Sequence, residues 1–290
     1  MKKTYQVAGH RFAVIMPDSN VAWQMMQNYD PFLVEDSNDV VFTVRWTDIL
    51  PDRTKKRLLF EECKGVGFTR TEFFQLNDKW LFDVAPDKDA PVCFHLMTDK
   101  QFSDACFLFT DDPRFSINGV IMLMFAHATA QRNTLMFHAS VTMHQGKGYL
   151  FMGKSGTGKS THSQLWINNI EGCELLNDDN PVIKVENDGT VRVYGTPWSG
   201  KTPCYRNLNV PVGAIVDLHQ APKNVIQRLT IPQAYGVMLK SFSGCRFIKE
   251  NADGYHATNE KILLTVPCYS LDCLPNAEAA WLCHNTVVAS

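Results

Sequence analysis

Gly153-Lys154-Ser155-Gly156-Thr157-Gly158-Lys159-Ser160 matches the pattern G-x-x-x-x-G-K-[ST] at every position. Glycines at these places let the backbone curl so that successive N–H groups point at phosphate oxygens. A helix starting there adds its partial positive charge. Lys159 is expected to reach the β- and γ-phosphates of ATP, and the Ser160 hydroxyl to ligate Mg²⁺. Thr161, next along, is counted with the nucleotide-binding residues. The bland alternative is a glycine-rich turn with no ligand. The context opposes it, because Gly148–Met152 is an apolar strand candidate and Ser160–Asn169 a helix candidate.

Asp178 and Asp179 end an apolar segment, Cys173–Asn177, that reads as the strand after the phosphate-loop helix. A carboxylate at a strand end beside such a loop is where Mg²⁺ is held in many phosphoryl-transfer sites. Neighbours on a strand point to opposite faces. Two adjacent carboxylates can therefore divide the work, one holding metal and the other accepting a proton. Taken alone, Asp-Asp-Asn-Pro reads as a turn. His138 precedes Gly153 by 153 − 138 = 15 positions. A lone histidine beside Phe137 is more often a packed core residue. His144 falls in an expected hairpin, Met143–Gly148, and is expected to be exposed and inert. Lys201 and Arg206 are either cations for a transferring phosphoryl group or solvated surface charges.

The elements that must position these residues differ between the two halves of the chain. Over the first hundred-odd residues Val40–Trp46 alternates, Phe68–Gln75 and Lys79–Val84 flank an Asn-Asp turn, and Cys93–Met97 and Ala105–Thr110 add short apolar runs. An antiparallel, β-rich N-terminal domain over residues 1–112 is expected, closed by Asp111-Asp112-Pro113. Ser116–Gln131 then reads as a buried helix. Beyond it, apolar runs at Tyr149–Met152, Val182–Val185, Val191–Tyr194 and Val212–Leu218 alternate with helical stretches at Lys159–Asn169 and Pro232–Phe242. Cys268–Leu274 reads as a strand and Asn276–His284 as a terminal helix. This alternation predicts an α/β fold for residues 113–290.

Composition bounds the partners. The 290 residues suit one large domain or two ordinary ones, and 45% hydrophobic with 20% charged argues for a proper core over disorder. A net charge of −2 provides no global field for nucleic acid or an anionic membrane. The longest strongly apolar stretch, Val120–Ala126, is too short to span a bilayer. Tyr5–Arg11 breaks any apolar run after Lys2 and Lys3, so no signal peptide is read. Nine cysteines form no C-x-x-C pair, and Cys268, Cys273, Cys283 and His284 lack the close pairing of zinc ligands. Reduced thiols and a cytoplasmic location are expected.

The segment from His138 through Asp179 resembles the catalytic domain of the bacterial HPr serine kinase/phosphorylases, relatives of the phosphoenolpyruvate carboxykinases. The likeness continues more loosely through Tyr194–Lys201 and Val212–Ala234, covering roughly the C-terminal 180 residues. The N-terminal part does not resemble that family's regulatory domain, and Gly195–Lys201 stands where its arginine-containing signature loop is expected. The resemblance implies a P-loop domain of the HPr kinase/phosphoenolpyruvate carboxykinase type. It also implies an ATP–Mg²⁺-dependent kinase acting on a serine-type hydroxyl of a protein or small molecule, in a homo-oligomer. It places His138 near a phosphate, Asp178 as general base and Asp179 as metal ligand. A carboxykinase-like enzyme and a non-catalytic nucleotide-binding regulator are the alternatives.

Overall fold

The computed structural model describes residues 1–50, 52–63, 69–200 and 202–289. They form two compact units, Met1–Ala128 and Thr129–Ser290.

The first unit contains β1 (Lys2–Val7), β2 (His10–Ile15), β3 (Leu33–Val34), β4 (Phe42–Trp46), β5 (Arg57–Cys63), β6 (Arg70–Leu76), β7 (Lys79–Ala85), β8 (Phe94–Asp99), β9 (Asp104–Phe109) and helix α1 (Pro113–Ala128). The strands form one sheet in the order β3-β1-β2-β4-β9-β8-β7-β6-β5. Ala8 and Gly9 both hold positive φ, which is the backbone a two-residue hairpin needs between β1 and β2. The Asn77-Asp78 turn joins β6 to β7 as the sequence predicts, with Leu76 opposite Lys79. Phe68, the expected start of that first strand, lies outside the described residues. The sheet is mixed rather than antiparallel, because β4 runs parallel to both β2 and β9. Parallel neighbours need crossover connections, and two 3-10 helices, Val21–Met25 and Gln27–Phe32, lie on the one from β2 to β4.

Helix α1 starts three residues earlier than Ser116 and ends three before Gln131. Pro113 takes the first turn, where a missing N–H costs nothing, and Asp112 Oδ1 accepts from Phe115 N at 3.0 Å. The buried face of α1 carries Ile117, Val120, Ile121, Met124 and Phe125. Phe125 packs edge-on to Phe12 and His10, and His127 stacks on Phe102 with ring centroids 4.6 Å apart. Burial pushes the His127 imidazole down to about 4. This packing puts α1 in the first unit. The expected boundary after Asp112 falls at its cap, and the units divide after Ala128.

The second unit contains β10 (Thr134–Met136), β11 (Ala139–His144), β12 (Lys147–Met152), α2 (Lys159–Asn169), β13 (Glu174–Asp179), β14 (Val182–Val185), β15 (Val191–Tyr194), β16 (Asn209–Gln220), β17 (Val225–Arg228), α3 (Ile231–Ser241), α4 (Lys249–Thr265), β18 (Cys268–Cys273) and α5 (Ala277–Val287). Its sheet runs β10-β14-β15-β16-β12-β11-β13, with β18 pairing to β16 and β17. Strands β12 and β18 lie parallel to β16, and the other pairs are antiparallel. Alternate side chains of β12 and β16 separate two cores. Leu150, Met152 and Ile215 pack with Met238 of α3 and Ile262 of α4. Tyr149, Phe151, Val216 and Leu218 pack with Trp166 of α2 and Ala280 of α5. The result is a mixed α/β unit with helices on both faces of its sheet. Among the described residues no helix is long and apolar enough to cross a membrane.

Candidate functional site

The segment Gly153–Gly158 connects the end of β12 to the start of α2. Gly153, Gly156 and Gly158 all hold positive φ, at 142°, 85° and 100°. A Cβ at Gly153 would come within 2.7 Å of Thr157 Oγ1 and 2.9 Å of the Leu218 carbonyl, so the turn requires glycine there. Thr157 Oγ1 donates to Lys154 O at 2.8 Å and tightens the loop. Gly158 caps α2 without a side-chain acceptor, which leaves the helix's first N–H groups to an outside anion. Ser155, Ser160 and Thr161 are exposed around this opening.

Lys159 is 9% exposed and its Nζ donates to Gly153 O at 3.2 Å. Burial holds its ammonium below the ordinary lysine range, while the charges of Asp179 and Asp178 pull the other way. Those carboxylates end β13, two strands from the loop strand. Pairing with β11 sets Asp178 opposite Ser140 and Asp179 opposite Ala139. Ser140 Oγ lies 2.6 Å from Ser163 Oγ of α2, so that side of the ladder faces α2. Asp178 is 2% exposed, and its Oδ2 has no hydrogen-bond partner. Asp179 is more open, and both its oxygens are engaged. Oδ1 lies 3.2 Å from His138 Nε2, and Oδ2 accepts from Asn180 Nδ2 at 2.8 Å. His138 and Asp179 are thus in direct contact, and the charges of Asp179 and Asp178 both reach Lys159 at the start of α2.

Other expectations change. Arg206 donates to Leu175 O and pairs with Glu174 at 2.8 Å, at the far end of β13 from the acidic pair. Lys201 lies outside the described residues. His144 is buried rather than exposed, because its ring packs 4.9 Å from that of His284 on α5. A second histidine–carboxylate pair escaped the sequence reading. His219 Nε2 lies 3.0 Å from Asp217 Oδ2 at the end of β16, and Asp217 stands in register with Met152. Burial raises the Asp217 carboxyl, against His219 and Lys240. Gln220 Nε2 donates to Gly156 O at 3.1 Å, so this strand end touches the loop itself. The only sequence signal was polar residues closing an apolar run. Among the described residues no group of three or more His, Cys, Asp or Glu side chains is disposed to hold a metal.

No protein-family model matches this chain, and no curated protein does. A solved structure, the Hpr(Ser) kinase/phosphatase from Coxiella burnetii, is similar over 53% of this chain and 88% of the other, at 15% identity and a TM-score of 0.32.

Proposed function

We propose that this chain is an ATP–Mg²⁺-dependent phosphotransferase that moves the γ-phosphate to a serine-type hydroxyl on a protein or small molecule. One observation carries the reading. The start of α2, which has no side-chain cap, the buried Lys159 and two carboxylates lie at the same end of the sheet, where β12 and β13 finish. The residues fit the nucleotide and its ion. A Cβ would fill the cradle at Gly153, and the half-exposed Asp179 offers carboxylate oxygens, the donor type a hard cation takes. ATP–Mg²⁺ supplies the phosphoryl group and the cation that offsets its charge. The loop from Gly153 through Thr161 would hold the phosphates. Ser160 and Asp179 would hold Mg²⁺ together with phosphate oxygens and water, as suits an ion that keeps several waters.

The chain's own groups then divide the work. Lys159 exchanges its carbonyl partners for phosphate oxygens and offsets their charge. Asp178 Oδ2, free of other partners and shielded from bulk water, accepts the proton of the attacking hydroxyl. His138 and Asn180 fix the carboxylate of Asp179, as outer partners fix a metal ligand. Calorimetry with ATP–Mg²⁺ on Lys159→Ala tests the reading. Affinity and turnover both equal to the wild type would refute it. If binding falls but the wild type phosphorylates neither free serine, free threonine nor any component of a cell extract, the chain is a nucleotide-binding regulator instead.

A further inference from the structure

Asp179 holds φ at +140°, a backbone conformation that side-chain-bearing residues rarely adopt. Such a residue persists only where its surroundings over-determine it. Here the surroundings are a buried polar clamp. Asn177 is fully buried, and its Oδ1 accepts from Asn180 N at 3.1 Å, bridging over the acidic pair. Its amide donates to Thr196 Oγ1 at 3.1 Å and to Trp198 O at 3.2 Å. Thr196, also fully buried, accepts from Trp198 N at 3.2 Å and donates to Asn180 O at 2.8 Å. Both amide hydrogens of Asn177 and the Thr196 hydroxyl, as donor and acceptor, are used, and between them the two side chains hold the backbone on the far side of Asp179. From outside, Gly200 N donates to Asp178 O, and Ser199 forms a backbone bridge with Asp179.

We infer that Asn177 and Thr196 are positioning residues, which aim the Asp179 carboxylate at the phosphate loop by locking its backbone in this conformation. The inference rests on the phosphotransferase reading above, in which Asp179 is a ligand of Mg²⁺. Neither side chain touches substrate. Their effect passes through the peptide between residues 177 and 180, pinned by a segment that starts sixteen residues further along at Thr196. Removing the Thr196 hydroxyl breaks three of these bonds at once.

The test uses the full chain. Thr196→Val keeps side-chain volume and deletes the hydroxyl, while Thr196→Ser keeps the hydroxyl. Calorimetric titration of ATP at a series of Mg²⁺ concentrations, and in chelator, is the readout, with melting curves alongside. Thr196→Val is expected to need about 10- to 100-fold more Mg²⁺, the range for loss of an outer partner of a metal ligand. Its affinity for ATP in chelator stays that of the wild type, and Thr196→Ser restores the normal Mg²⁺ requirement. A Thr196→Val protein with the wild-type Mg²⁺ requirement overturns the inference and leaves the phosphotransferase reading standing. So does an equal shift in both variants. A wild type that binds no ATP–Mg²⁺ removes both. Should Thr196→Val fail to fold, an experimental structure of the wild type decides, since a negative φ at Asp179 overturns the lock.

Discussion

Asp178→Asn separates proton transfer from binding. The amide keeps the carboxylate's shape in a site only 2% exposed, so packing is preserved. What disappears is the one oxygen without a partner, the atom assigned to take the acceptor's proton. Removal of a general base slows transfer by about 10²–10⁴-fold, or roughly 3–5 kcal/mol of barrier. ATP–Mg²⁺ affinity is expected to change little, because Asp179 exerts the larger of the two carboxylate influences on Lys159. Asp179→Asn reverses the pattern, with a higher Mg²⁺ requirement and a Lys159 ammonium pushed further below its ordinary range. Single-turnover phosphate transfer to an acceptor found by screening gives the rate. Calorimetry gives the affinity, and a melting curve confirms the fold. Wild-type transfer by Asp178→Asn refutes the assignment. An affinity loss as large as the rate loss refutes it too, since Asp178 would then be a binding residue.

Three further outcomes follow from the geometry. Gly153→Ala forces a Cβ against Leu218 O at a positive φ, costing roughly 1–3 kcal/mol and weakening ATP binding, as melting and calorimetry will show. In the first unit, Asp83 is buried against Arg53, Lys56 and His95. Burial alone would raise its carboxyl, but hydrogen bonds from His95 and Lys56 and the charge of Arg53 hold it well below the usual range. Its stabilisation is therefore full above the unfolded pKa of about 4 and is lost as pH falls through the folded value. Asp83→Asn should cost about 3 kcal/mol or more at pH 7 in chemical denaturation, with the gap to wild type closing in acid. Residues 129–290 alone are expected to melt cooperatively and bind ATP–Mg²⁺, because the loop, α2 and both flanking cores lie inside that unit. An insoluble fragment contradicts this.

Much of the local architecture is legible in the residues. The glycine-rich turn after β12, helix Lys159–Asn169 and strands Val182–Val185 and Val191–Tyr194 fall where pattern places them. Each is dictated by contacts within a few positions, glycine for a turn or apolar alternation for a pleat. Helix α4 is absent from the elements read in the sequence, and Gly254 within it does not serve a turn. A Cβ there would meet the Ala130 carbonyl at 2.3 Å, so glycine answers to a close backbone approach instead. The hairpin of β1 and β2 is not legible either, because its turn is Ala8-Gly9 and carries no Asn-Gly or Asp-Gly signal.

The types of residue at the candidate site, and their order along the chain, are properties of the sequence. Their meeting is a property of the sheet. Strand order, with β16 and β11 flanking the loop strand and β13 one further out, depends on pairings between distant segments that carry no local signature. That order decides that Asp217 and Gln220 sit beside the loop, that Arg206 is committed to Glu174, and that His144 is buried by His284, 140 residues away. It also brings Thr196 onto Asn177, so that the strand end expected at Asp178-Asp179 is held in a left-handed conformation that no local pattern announces.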